Sequence, residues 1–86
     1  MWILELAFSP TDERLAARPA HRERLAALRE AGTVYLAGPL ADDSGAVIVF
    51  DVGDRAAVDE AIAQDPYYRT PGVRVSGVRE WRPLWS

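Results

Sequence analysis

The chain has 86 residues, a net charge of −3, no cysteine and one histidine, and its basic residues are all arginine. That length allows one domain over residues 1–86, with a core small enough that a homodimer would help to complete it. Without cysteine or lysine there can be no disulfide, thiolate metal site, thiol nucleophile, Schiff-base chemistry or Walker-type phosphate loop, and no arginine block is dense enough to track nucleic acid.

The elements follow from periodicity and punctuation. Trp2, Leu4, Leu6 and Phe8 alternate with Ile3, Glu5 and Ala7, which predicts a strand with one fully apolar face. Ser9-Pro10 ends it. Thr11 to Ala17 reads as a short helical turn carrying Arg14. The main helix is expected from Pro19, since proline suits a first turn, to Ala31, with Gly32 just past its end. His21, Leu25 and Leu28 are spaced four and three apart and share the core-facing stripe, while Arg22, Glu23, Arg29 and Glu30 fall mostly on the other side. On this reading His21 lies in the first turn of a packed helix.

Thr33 to Ala37 is a second strand and Ala46 to Val52 a third. The short turn-rich link between them predicts an antiparallel hairpin. Asp54 is a good N-cap for a second helix, whose apolar stripe is Ala57, Val58, Ala61 and Ile62 and which closes at Gln64-Asp65-Pro66. Tyr67 to Gly72 reads as a loop and Val73 to Arg82 as the last strand, with Val73 and Val75 on one face and Ser76 and Val78 split around Gly77. Trp81, Pro83, Leu84 and Trp85 form an aromatic-rich tail. No basic segment leads into an apolar run at the N-terminus, and no apolar run approaches the ~18 residues of a membrane span. The expectation is a soluble, cytoplasmic protein with no membrane contact.

The order βαββαβ predicts an α+β, ferredoxin-like fold, with two helices on one face of a four-stranded antiparallel sheet. Right-handed crossovers then bring four features to one edge: the end of strand one, the helix start near His21, the end of strand two at Gly38-Pro39, and the end of helix two at Asp65. His21 and Asp65 thus meet by topology although they are far apart in sequence.

Each polar candidate has two readings. His21 can act as a general acid/base, its neutral form favoured by the positive helix end and its tautomer fixed by a carboxylate, or it can be a half-buried structural histidine. Asp65 is an acid at a helix C-terminus, which the dipole disfavours; it is either the partner of His21 or part of an ordinary Asp-Pro stop. Arg14 and Arg18 can bind an anion together with free backbone N–H groups at the helix start, or be solvated surface charges. Tyr67 and Tyr68 can wall a pocket or pack a loop. One histidine among scattered carboxylates is a poor metal site, so neither metal nor cofactor is expected.

The run Glu13-Arg14-Leu15-Ala16-Ala17-Arg18-Pro19-Ala20-His21, with Ala37-Gly38-Pro39 after strand two and Asp65-Pro66-Tyr67 after helix two, resembles the YCII-related (YciI-like) proteins. That resemblance implies a ferredoxin-like fold of the dimeric α+β barrel superfamily and a cleft centred on a histidine and an aspartate, here His21 and Asp65. Arg14, Arg18, Gly38, Pro39 and Tyr67 become the candidate substrate-binding residues. The superfamily includes muconolactone isomerases and small monooxygenases, and related proteins act on chlorinated hydroxyquinols. Some members carry an aspartate at the end of strand one, where this chain has Phe8-Ser9-Pro10. Two functions fit. One is a cofactor-independent enzyme doing proton transfer, elimination or isomerisation on a small aromatic or anionic substrate. The other is a non-catalytic dimeric module that binds a ligand or a protein.

Overall fold

Alternation in the first strand, Asp54 as a cap and Gly32 as a helix stop all take the roles their chemistry suggests. The computed structural model describes residues 1–85. Among these the elements are β1 (Trp2–Phe8), α1 (Asp12–Glu30), β2 (Val34–Pro39), β3 (Gly45–Phe50), α2 (Arg55–Gln64), a 3₁₀ turn (Pro66–Arg69) and β4 (Val73–Glu80). The strands form one sheet in the order β2-β3-β1-β4, antiparallel at every pair. This is the ferredoxin-like α+β arrangement. Among the described residues no helix is long and apolar enough to cross a membrane.

The core lies between the sheet and the helices. Leu4 and Leu6 of β1 sit opposite Ile48 and Ala46 of β3 and Val78 and Val75 of β4. Leu25 and Leu28 of α1 and Val58, Ala61 and Ile62 of α2 close over this face, with Phe50 and Val58 fully buried. Two single-residue bulges set the phase. Tyr35 is left without a partner on β2, so that Val34 pairs with Phe50 and Ala37 with Ile48. Ser76 is left out on β4, and its hydroxyl donates to the carbonyl of Glu5 at 3.1 Å. An extra residue shifts the two-residue alternation by one. Val75 and Val78 therefore both face the core, which resolves the broken pattern around Gly77. The opposite sheet face carries Ile3, Val47, Val49 and Leu36, the last 57 % exposed, beside an ion pair between Arg79 and Glu5.

The largest departure from expectation is α1. It is one continuous helix from Asp12, and Pro19 lies inside it. Thr11 is the real cap: its backbone is extended, its hydroxyl accepts from the N–H of Arg14 at 3.2 Å, and Asp12 and Glu13 follow in the first turn. These are favourable start signals. They outweigh the preference of proline for a first turn, and the one backbone bond that Pro19 cannot donate faces solvent on an exposed side of the helix. At the other end Gly32 has φ +83° and the N–H of Thr33 reaches the carbonyl of Leu28 at 2.9 Å, a closure that favours glycine. Element ends also moved. β2 runs on through Gly38 and Pro39, β3 ends at Phe50, β4 ends at Glu80, and the expected loop after Asp65 begins with the 3₁₀ turn. Proline is tolerated in β2 because β2 is an edge strand.

Candidate functional site

α1 presents His21 on the same side as Leu25, and the junction between α2 and the 3₁₀ turn presents Asp65. The two side chains meet: Nδ1 of His21 lies 2.7 Å from Oδ2 of Asp65, with the residues 7 % and 5 % exposed. A carboxylate can only accept here, so Nδ1 carries the proton and Nε2 keeps its lone pair. The other oxygen, Oδ1, accepts from the N–H of Tyr67 at 2.9 Å. Asp65 therefore ends one helix and caps the next turn, which accounts for an acid at a position the first helix alone would disfavour. Tyr67 stacks on the imidazole, with centroids 3.9 Å apart and rings 10° from parallel, and Tyr68 meets it edge-on at 5.3 Å. Histidine is thereby held on three sides. Among the described residues Nε2 has no partner and is not sealed off, and His21 lines a cleft of about 520 Å³.

The mid-helix position of His21 corrects part of the electrostatic argument. Free N–H groups at a helix start do not act on it, since the start is nearly three turns away at Thr11. Burial is the main influence. It lowers the proton affinity of His21 below the ordinary histidine value, Asp65 opposes that through its hydrogen bond and charge, and the positive charge of Arg22 adds to the lowering. Tyr68 is held strongly in its neutral form, first by burial and then by the charge of Asp65. Burial is uneven along the core-facing stripe of α1. His21 is buried more fully than Leu25 and Leu28, which are only partly covered.

One wall of the cleft is α1; its floor is Val34, Ala37 and Pro39 of β2 with Ala46 and Ile48 of β3; Phe8 and Tyr67 close one end. Gly38, Pro39, Arg14, Arg18 and Tyr67 all line it. Arg14 is largely occupied, however. It is 5 % exposed, its Nε donates to the carbonyl of Ser9 at 3.3 Å, Nη2 to Asp43 at 3.2 Å, and its Cζ lies 4.4 Å above the ring of Phe8. Among the described residues its Nη1 has no partner. Arg22, assigned by periodicity to the far side, lines the cleft as well. Among the described residues no group of three His, Cys, Asp or Glu could hold a metal ion.

The YCII-related domain matches residues 1–82 of the sequence. The chain belongs to the YCII-related family. A search of curated proteins gives no match. Among solved structures, 5-chloro-2-hydroxyhydroquinone dehydrochlorinase from Burkholderia phenoliruptrix AC1100, in complex with 2,5-dihydroxybenzoquinone, is similar with a TM-score of 0.60. It is 16 % identical, and the match covers 95 % of this chain and 94 % of that one. At that identity the likeness speaks for the fold.

Within this YCII-related domain, the polar cleft residues that sequence reasoning missed are Arg22, Arg29 and Asp43. Arg22 had a visible signal. Arg14, Arg18 and Arg22 recur every four residues, so they form one row along a helix that begins at Asp12. Asp43 had none that points to Arg14. It sits in the turn between β2 and β3 with φ 58°, and only the folded hairpin brings it to α1.

Proposed function

We propose that this YCII-related protein is a small enzyme in which His21 is the general acid/base and Asp65 orients it. The observation that carries the proposal is the hydrogen bond from His21 Nδ1 to buried Asp65, which leaves the lone pair of Nε2 unengaged on a side chain that lines the cleft. A base needs a lone pair within reach of a substrate proton and a counter-charge for the cation it becomes. Nε2 takes a proton from a substrate C–H or O–H, and Asp65 stabilises the imidazolium. The electron pair left behind moves into the neighbouring bond. In an isomerisation His21 returns the proton to another atom; in an elimination a leaving group departs with its electron pair. Burial favours neutral His21 in the resting state, which is the form a base needs. The solved dehydrochlorinase supports including elimination from a halogenated hydroxyquinol among the candidate reactions.

The reading extends to a homodimer formed through the sheet face that carries Ile3, Val47, Val49 and Leu36, an apolar surface on the side away from the helices. Its test is sedimentation at micromolar concentration, where a monomer contradicts it. Catalysis is tested by incubating the protein in D₂O with a panel of small aromatic phenols, keto acids and halogenated hydroxyquinols, following deuterium uptake and halide release. At least one compound should react with the native protein and not with His21→Gln. A panel inert to the native protein, or equally reactive with the variant, favours the non-catalytic binding module instead.

A further inference from the structure

Arg14, Arg18 and Arg22 are spaced four positions apart, so they leave α1 as one row, with about 6 Å of helix rise between successive members. All three line the cleft, as does Arg29 two turns beyond Arg22, whose guanidinium donates to the carbonyl of Tyr35. The row runs beside His21, with Arg18 one turn before it and Arg22 immediately after. Among the described residues Arg18 and Arg22 enter no ion pair, although the chain carries more acids than bases. The one acid among the lining residues is Asp43, and it is already engaged by Arg14. Arg14 is more than nine-tenths buried, yet its Nη1 has no hydrogen-bond partner. A buried guanidinium N–H without an acceptor is costly, so Arg14 adds a positive charge that is not fully compensated. Opposite the row the surface is apolar: Val34, Ala37, Ala46 and Ile48. The helix wall therefore offers two arginines outside any ion pair, and the sheet wall offers apolar side chains.

We infer that Arg18 and Arg22 form an anion-binding subsite beside His21, selecting a small amphipathic ligand that has one carboxylate-like group and an apolar body. The apolar body lies on the β2–β3 floor, and the anionic group bridges the two guanidinium groups, each of which can donate two parallel bonds. Arg14 is a third, buried positive charge at the closed end and strengthens the field without moving. The inference rests on the cleft being a ligand site, as proposed above, but not on His21 being catalytic.

Benzoate and benzamide have the same shape and differ in charge, so they separate anion recognition from apolar filling. Binding of each is followed by amide chemical shifts in the native protein, Arg18→Gln, Arg22→Gln, the double variant, and Arg24→Gln. Arg24 is exposed on the same helix but does not line the cleft. Benzoate should bind the native protein about tenfold more tightly than benzamide. Each single variant should lose part of that preference and the double variant most of it, with Arg24→Gln unchanged. The perturbed amides should map to α1, β2 and β3. Equal binding of the two probes, no binding of either, shifts outside the cleft, or a loss in Arg24→Gln equal to that in Arg22→Gln overturns the inference. The native acid-to-amide ratio needs no variant, so a misfolded variant does not obscure the result. His21→Gln separates the two proposals: it should abolish proton transfer and keep the preference for benzoate.

Discussion

Replacing Asp65 with asparagine exchanges one oxygen for NH₂ and reverses a hydrogen-bond pattern. In the native protein Oδ1 accepts from the N–H of Tyr67 at 2.9 Å and Oδ2 accepts from His21 Nδ1–H at 2.7 Å. Asparagine has one oxygen for these two donors. The N–H of Tyr67 can be met only by that oxygen, so the NH₂ group turns to Nδ1. His21 must then accept at Nδ1 and carry its proton on Nε2. The atom that offered a lone pair to the cleft now offers N–H. A wrong tautomer of this kind lowers turnover by on the order of 10⁴ at other carboxylate–histidine sites. Losing the counter-charge adds to this, by at most about 4 kcal/mol for charges ~4 Å apart at an effective dielectric of ~20. Stability should fall by only about 1–2 kcal/mol, because both contacts survive in altered form. The assay is ¹⁵N NMR of the imidazole, and His21 is the sole histidine, so there is one ring to observe. The native protein should show Nδ1 protonated and Nε2 bare at neutral pH, and Asp65→Asn the reverse. A variant that keeps its proton on Nδ1 refutes the reasoning.

Further outcomes follow from other residues. His21 has a lower proton affinity folded than unfolded, so the unfolded chain binds more protons as pH falls below about 6.5; stability should therefore decline with acidification from that point until the folded histidine titrates, and urea unfolding between pH 8 and 5 should show a shallower decline in His21→Gln. Gly72 has φ +95°, and a Cβ there would lie 2.2 Å from Oγ1 of Thr11, the cap of α1; Gly72→Ala should cost about 2–4 kcal/mol by thermal unfolding. Phe50 is fully buried, and Phe50→Ala should cost ~3–5 kcal/mol by the same measurement. Deleting Ser76 should be more damaging than Ser76→Ala, because deletion turns one end of β4 over while alanine removes only a hydroxyl contact.

Much of this architecture was legible where local chemistry and periodicity agree. Trp2–Phe8 alternates without interruption, Asp54 caps, Gly32 stops a helix, and the element order leaves few topologies. That topology brought His21 and Asp65 to one edge before any distance was known. Misreadings arose where one signal hid another. Pro19 is a familiar helix opener, and it masked Thr11, whose following Asp12 and Glu13 are the better start. A bulge is one extra residue with no fixed residue type, so Tyr35 and Ser76 gave no warning. Asp65 caps in both directions, and periodicity sees only the helix that it ends. A helix that begins at Pro19 contains only Arg22 of the row; a helix that begins at Asp12 contains Arg14, Arg18 and Arg22 and makes the four-residue spacing plain. Deep burial of His21 depends on Tyr67 stacking from a turn more than forty residues away, which no local pattern encodes.

The central claim is that His21 removes the proton through Nε2. It is tested most directly by comparing the pH dependence of deuterium uptake into a reactive panel compound with the NMR titration of His21 in the free protein. Because burial lowers the proton affinity of this histidine, both midpoints should lie below the ordinary histidine value. The value of kcat/KM should rise with pH along the same curve on which His21 loses its proton. A rate that stays flat while His21 titrates, or that rises at a different midpoint, contradicts it.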